Sequence, residues 1–302
     1  MSASIHRTPA GREAILAAYA RRLDALALPV VSRTVPTRHG ATHLLLAGPE
    51  DAPPLVGVPG TGGSALDLAE AWPFFAERNR CVFVDVPGQP NRSEEIRPDK
   101  AGADYARWME DVLDALGLAR PAFVGMSMGA YVLLRCAAWI PERMARMALV
   151  VPEGLVRARL PALLRDVTWP LLRHRLAPTE ANLRRLLAAL STPGAPVPDA
   201  ALDWMRLVTR HAGLGTDLGP LFRKGELARL EAPVLVVAGG RDPLFPGARL
   251  IRRARRVIPT LRDAILVPEA GHLDPAFAAG PVMERVRAFL EGADEPTPRG
   301  AG

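Results

Sequence analysis

The chain has 302 residues, 49% of them hydrophobic and 23% charged, with a formal net charge of +6 and an isoelectric point near 10.1. That length can bury a full core and that composition is ordinary for a globular protein, which excludes a disordered or fibrous chain. The 30 prolines are scattered and form no low-complexity block, and no apolar run approaches the length of a membrane span.

The positive balance is carried almost entirely by arginine. Arg252, Arg253, Arg255 and Arg256 fall at helical spacing beside apolar positions, without a nucleic-acid motif or interleaved stacking aromatics. A solvated helix face is the expected reading, with no nucleic-acid partner. Cys81 and Cys136 lack metal-ligand spacing, so reduced structural thiols are expected and no metal site is read. After Met1 the chain is polar with no apolar signal region, which makes a cytoplasmic setting and no membrane partner the expectation. The oligomeric state stays open between a monomer and a homodimer.

In chain order, residues 11–28 carry Ile15, Leu16, Tyr19, Leu23 and Leu26 as a helical stripe with arginines opposite. This predicts an N-terminal helix, within residues 1–29, packed on the main domain. Residues 30–37 and 42–47 read as antiparallel strands joined by the turn at His39-Gly40. A short buried strand at 54–58 runs into Pro59-Gly60-Thr61-Gly62-Gly63, and a helix is expected over 64–79 with Ser64 as its N-cap. Another strand, 80–86, ends in the loop 85–93. Residues 104–116 form an amphipathic helix that Gly117 terminates.

The apolar run 121–124 is followed by Gly125-Met126-Ser127-Met128-Gly129 and then by an apolar helical segment over 130–140. A strand at 147–151 comes next. Strands alternating with helices across short turns imply a mostly parallel sheet. From 153 to 230 the rhythm changes: helical segments at 155–176, 179–190 and 198–212 have no strand between them. This predicts a helical cap inserted into a core made of 30–152 and 231–291. The alternation resumes with a strand at 234–238, a helix at 246–256, a strand at 264–267 and a helix at 281–290. A polar Gly/Pro tail, 292–302, is expected to be disordered.

The stretch 121–140 matters most. A strand, a G-x-S-x-G turn and a helix form the context in which a central serine is held in a strained backbone conformation above a sheet. The helix that follows aims its N-terminal N–H groups at the same spot. A serine hydroxyl is a poor nucleophile at neutral pH, so it needs a base, and the base needs a carboxylate to set its tautomer. Downstream, the strand 234–238 ends in Gly239-Gly240-Arg241-Asp242-Pro243, and the last strand is followed by Pro268-Glu269-Ala270-Gly271-His272. Ser127, Asp242 and His272 thus stand at successive strand ends, the edge where open α/β sheets place their sites.

Glu153, at the end of the strand before the insertion, is the competing acid, and Asp274 reads as a loop residue. His6, His39, His43, His174 and His211 lack the required context, with His174 and His211 left as substrate contacts at most. Acyl transfer also needs N–H donors at the developing oxyanion. Met128, the residue after the serine, and Thr61, with Gly60 as its neighbour, are the candidates. Trp169, Trp204, Leu207 and Phe222 are candidate walls of an apolar substrate pocket with Met126 beneath, and cap-to-core packing is the competing reading for each.

These features resemble the α/β-hydrolase family over residues 30–291. The resemblance is narrower to bacterial carboxylesterases of the naproxen-esterase type. It rests on Thr37-Arg38-His39-Gly40-Ala41-Thr42-His43, on residues 48–53, on Asp104-Tyr105-Ala106-Arg107-Trp108, on the serine turn and on Gly271-His272. It implies an α/β-hydrolase fold with a mostly parallel eight-stranded sheet, flanking helices and a helical cap. It also implies a cofactor-free hydrolysis of small carboxylic esters through an acyl-enzyme, with Ser127 as nucleophile, His272 as base, Asp242 as acid, and Thr61 and Met128 as oxyanion donors. Lactonase, thioesterase and C–C hydrolase chemistry reuse the same triad, and a non-hydrolytic ligand-binding or biosynthetic protein on this fold is the reading of another class. One departure stands out: Pro59 occupies the position where these families carry His before Gly. The loop Val86-Pro87-Gly88-Gln89-Pro90-Asn91-Arg92-Ser93 is a variant of the family's Gly-and-Ser loop and is expected to shape the mouth of the site.

Overall fold

The computed structural model of the protein describes residues 4–158, 160–215 and 217–292. Eight strands make one sheet: β1 (Val31–Thr37), β2 (Gly40–Ala47), β3 (Pro54–Val58), β4 (Arg80–Val84), β5 (Ala122–Met126), β6 (Arg146–Val150), β7 (Val234–Gly239) and β8 (Leu261–Val267), in the order β1-β2-β4-β3-β5-β6-β7-β8. Pairing is antiparallel from β1 to β2 and from β2 to β4, and parallel throughout from β4 to β8. The strands from β3 to β7 are almost wholly buried. That is why they read as continuous apolar runs: helices cover both faces of a parallel sheet.

The chain starts the parallel sheet at β3, lays β4 on one side of it and crosses to β5 on the other. The carboxyl ends of β3 and β5 therefore flank the point where the winding direction reverses, the crevice in which open α/β sheets bind ligands. On one face of the sheet α3 (Asp104–Ala115), α4 (Met128–Trp139) and α9 (Gly247–Val257) pack Trp108, Tyr131 and Leu250 into one apolar cluster. On the other, α2 (Ala65–Ala71) and α10 (Pro281–Leu290) bring in Leu66 and Phe289, joined by Trp72 and Phe75. Arg252, Arg255 and Arg256 on α9 are solvent-exposed while Ile251 and Ala254 face inward, the solvated face expected from their spacing. Cys81 and Cys136 are free and buried, and burial pushes the Cys81 thiol up to about 12.

Between β6 and β7 the regular elements among the described residues are helices: α5 (Leu160–Leu163), a π-helical stretch Leu164–Thr168, α6 (Trp169–Leu176), α7 (Glu180–Leu190) and α8 (Asp199–His211). The N-terminal helix α1 (Pro9–Asp24) joins this insertion to the sheet. Its Ile15 packs with Trp204, Val208 and Ala212, and its Tyr19 belongs to the sheet-face cluster.

Several boundaries differ from the sequence expectation, among them α1, which ends at Asp24 where the expected stripe runs to residue 28, and β8, which starts at Leu261 where the expected strand starts at 264. The helix expected over 64–79 ends at Ala71, because Pro73 lacks an N–H and its ring clashes with the preceding turn; a 3₁₀ turn, Pro73–Glu77, replaces the rest. The strand expected over 80–86 stops at Val84, and the next side chain, Asp85, is held by the Ala65 and Arg92 N–H groups and His43 Nδ1. The helix expected from 155 begins at Leu160, and Leu155 and Val156 are instead buried in the core. The tail expected at 292–302 lies outside the described residues beyond Gly292. Among the described residues no helix is long and apolar enough to cross a membrane.

Candidate active site

Ser127 sits between β5 and α4 with φ 54° and ψ −114°, a left-handed conformation that non-glycine residues seldom adopt. Three backbone hydrogen bonds hold it there: its N–H donates to the Val150 carbonyl (2.9 Å) and its carbonyl accepts from the Tyr131 N–H (3.1 Å) and the Glu153 N–H (3.2 Å). The glycines on either side are needed for close approach. A Cβ at Gly129 would collide with the Val58 and Pro59 carbonyls, and one at Gly125 would stand 2.8 Å from the Ala130 nitrogen. The strained turn is thus wedged between the ends of β3 and β6, and its serine hydroxyl meets the His272 imidazole.

Asp242 and His272 arrive from the ends of β7 and β8. His272 Nε2 stands 3.0 Å from Ser127 Oγ, and His272 Nδ1 stands 2.8 Å from Asp242 Oδ2. The other Asp242 oxygen accepts the N–H groups of Leu244 (2.7 Å) and Phe245 (2.9 Å), so the carboxylate cannot swing away without losing both. Phe245 packs edge-on against the imidazole at 5.4 Å. The His272 and Leu273 N–H groups donate to the Leu190 carbonyl at the end of α7, which makes the insertion part of the support for the base. All three side chains are at least nine-tenths buried.

The loop after β3 lies beside the serine: a Cβ at Gly60 would stand 3.4 Å from Ser127 Cβ. Met128 is the first residue of α4, where helix geometry leaves N–H groups without partners. Among the described residues neither the Met128 nor the Thr61 N–H has an intramolecular acceptor. Gly62, the next residue along the loop, is by contrast held through both its N–H and its carbonyl. The Gly62 N–H donates to Gln89 Oε1 (2.9 Å) and the Gly62 carbonyl accepts from Trp204 Nε1 (3.2 Å). Gln89 also places its Nε2 3.7 Å from Met128 Sδ, so one buried amide ties the loop to the serine turn.

The candidate pocket residues divide. Trp204 reaches the site through Gly62, with Leu207 partly buried beside it in the cluster against α1, and the Arg22 guanidinium lies 5.0 Å from the Trp204 ring. Met126 is partly buried at the end of β5 in the cluster on the α2 and α10 face. Phe222 is core packing instead: it is fully buried against Tyr131 (5.6 Å) and under the Arg135 guanidinium (4.6 Å), because Gly154 leaves room for it. Trp169 is not drawn inward either. It is 56% exposed and lines a small surface cleft with Pro170, Arg173, Asn182 and Arg185.

Glu153, the competing acid, turns its carboxylate to the Gly219 N–H (2.6 Å) and to Lys100 Nζ (3.7 Å), and not to His272. Burial pushes its pKa up, against the pull of Lys100 and the Gly219 N–H. Asp274 caps its own turn through the Ala276 N–H. His174 bonds Thr209 of α8 and His211 packs on Gly11 of α1.

Two arrangements escaped sequence reasoning. One is Gln89; the signal was a polar residue just beyond the carboxyl end of a buried strand, on the edge where the site gathers. The other is a second Ser–His–Asp chain: Ser32 Oγ lies 2.7 Å from His43 Nε2, and His43 Nδ1 lies 2.9 Å from Asp85 Oδ2. Its serine stands in the regular edge strand β1 and its aspartate also accepts the Ala65 and Arg92 N–H groups. It fastens β1, β2, α2 and the 85–93 loop together.

Residues 55–285 match the alpha/beta hydrolase family. The chain is 26% identical over 262 residues to carboxylesterase YbfK of Bacillus subtilis (strain 168), covering 85% of this chain and 87% of that protein. It is 27% identical over 269 residues to the uncharacterized carboxylesterase nap of the same organism, covering 85% of each. The crystal structure of carboxylesterase CesB (YbfK) from Bacillus subtilis shares the fold at a TM-score of 0.78 and 24% identity, over 93% of this chain and 99% of that one. With the family match running from β3 into α10 and the same architecture in that structure, the chain belongs to the alpha/beta hydrolase family and is a hydrolase.

Proposed function

We propose that the protein hydrolyses small apolar carboxylic esters through an acyl-enzyme. The observation that carries the reading is the hydrogen-bond chain from Ser127 through His272 to Asp242 on a strained turn. The named carboxylesterases among its relatives support the ester as substrate.

In this reading Ser127 Oγ attacks the ester carbonyl carbon while its proton passes to His272 Nε2. Asp242 keeps the other imidazole nitrogen protonated and stabilises the imidazolium that forms. The carbonyl oxygen becomes an oxyanion, and the Thr61 and Met128 N–H groups, free of other partners, are assigned to receive it. Collapse of the tetrahedral species expels the alcohol, which takes the proton from His272. A water molecule then gives a proton to the same nitrogen and attacks the acyl-serine; as the second tetrahedral species collapses, Ser127 Oγ takes that proton back from His272 and the acid leaves. Besides the attacking water, every group used in these steps belongs to this chain or its substrate. Trp204, above Gly62 and next to the oxyanion loop, is assigned to the wall that limits the acyl or alcohol group.

The test is turnover of p-nitrophenyl esters from acetate to decanoate by wild type and Ser127→Ala. The expected outcome is a loss of roughly four orders of magnitude or more in kcat for the variant. The chain-length optimum then measures the pocket. A wild type no faster than Ser127→Ala on every ester sinks the ester reading. Labelling of Ser127 by a fluorophosphonate in such a protein would point to a lactone, thioester or C–C substrate; no labelling would point to a binding protein.

A further inference from the structure

Residues 160–176 run as one helical rod made of α5, the π-helical stretch and α6. Its large apolar side chains Leu160, Leu164, Trp169, Leu172 and Leu176 are 65, 49, 56, 42 and 77% exposed. In an uninterrupted α-helix the five-residue step from Leu164 to Trp169 would turn Trp169 about 140° away from Leu164. The π turn removes that rotation: the Trp169 N–H donates to the Leu164 carbonyl, the wide i to i−5 bond, and sets the two side chains one above the other. The remaining steps are four, three and four residues, the spacings of a single helix face. All five residues therefore form one continuous stripe, and it is the rare π turn that makes it continuous. The inward side of the rod is already occupied, since His174 is buried and bonded to Thr209 of α8.

The charge beside the stripe is one-sided. Arg165, Arg173 and Arg175 are exposed on the rod against one acid, Asp166, which pairs with Arg165 at 2.6 Å. Among the described residues neither Arg173 nor Arg175 has an acidic partner. A stripe of leucines with a tryptophan, flanked by arginines, is the pattern of a helix that lies in the plane of an anionic lipid surface. A second copy of the chain fits less well, because a two-fold contact through the stripe would bring the arginines of both copies together.

We propose that residues 160–176 dock this protein, in plane, on an anionic lipid surface. Docking is independent of the chemistry proposed above. It would place α7, whose last carbonyl supports the His272 loop, beside the boundary at which apolar molecules partition.

The test is sedimentation of the full chain with vesicles of phosphatidylcholine alone or of phosphatidylcholine with a quarter phosphatidylglycerol, at an ionic strength of about 0.15 M. The comparison is a Leu164→Ser/Leu172→Ser/Leu176→Ser variant, which keeps every arginine. Wild type is expected to partition onto the anionic vesicles and the variant roughly tenfold or more weakly, with its thermal midpoint and turnover of soluble p-nitrophenyl acetate unchanged. Blue-shifted tryptophan emission on vesicle binding, lost in Trp169→Phe, locates the contact. Equal sedimentation of variant and wild type overturns the proposal, since net positive charge alone would then explain binding. Sedimentation of neither also overturns it. So does a wild-type dimer by light scattering that becomes monomeric in the variant, which would assign the stripe to a second copy.

Discussion

Gln89 shows how one buried side chain can set the geometry of a backbone donor it does not touch. The Thr61 and Gly62 N–H groups sit on adjacent peptides, so holding Gly62 between Gln89 and Trp204 limits how far the Thr61 peptide can rotate. Replacing Gln89 by Leu keeps most of the volume and leaves the Gly62 N–H buried without an acceptor. Such a group costs about 1–3 kcal/mol. Gln89→Leu is expected to lower kcat on p-nitrophenyl esters roughly 10- to 100-fold with KM little changed, the pattern of a donor lost only in the transition state. Gln89→Glu keeps an oxygen for Gly62 and is expected to recover most of that loss. A fall in KM and kcat together, unrescued by Glu, would instead mean that the residue only supports the fold.

The serine turn is an element in which local strain is balanced by close packing. Ser127 takes a positive φ that costs on the order of 1–3 kcal/mol. It persists because Gly129 lets the first turn of α4 press against the carbonyls at the end of β3. Gly129→Ala puts a methyl group into backbone oxygens that cannot rotate away, a worse case than crowding among flexible side chains. It is expected to cost about 3 kcal/mol or more, or to prevent folding. A denaturant midpoint within error of wild type would show that the β3 loop yields. The rod at 160–176 is a different case: its π turn aligns side chains that face solvent.

At the scale of the whole molecule, Glu153 joins the insertion to the core. It follows β6, its N–H bonds the Ser127 carbonyl, and its carboxylate holds the Gly219 N–H where the chain returns from the helices. Because burial raises its pKa in the folded protein above the unfolded value of 4.5, the folded state holds that proton more tightly. Its contribution therefore favours folding at low pH and is lost as pH rises from 4.5 through the raised folded value. Glu153→Gln, which mimics the protonated carboxyl and keeps an oxygen for the Gly219 N–H, is expected to hold its thermal midpoint as pH rises over that interval while the wild-type midpoint falls. Parallel midpoint curves for wild type and variant would show that Glu153 does not titrate differently in the two states.

Periodicity, glycine placement and strand ends were enough to read the alternating strands and helices, the strained turn at Ser127 and the order Ser127, Asp242, His272, because each rests on local chemistry repeated along the chain. Pro73 shows the limit of periodicity: the apolar pattern continues past it, but a ring without an N–H ends α2. Where each aromatic residue of the insertion packs could not be read from the chain. Phe222 and Trp169 carry the same local signal as Trp204. Only the packing of the insertion on the sheet sends the first into the core, leaves the second in solvent and seats the third on Gly62. Gln89, Glu153 and the π turn were hidden for the same reason. What each does depends on partners from 27 to 66 residues away for the two buried polar groups, and on a departure from regular helix geometry for the turn, and neither leaves a repeat in the sequence.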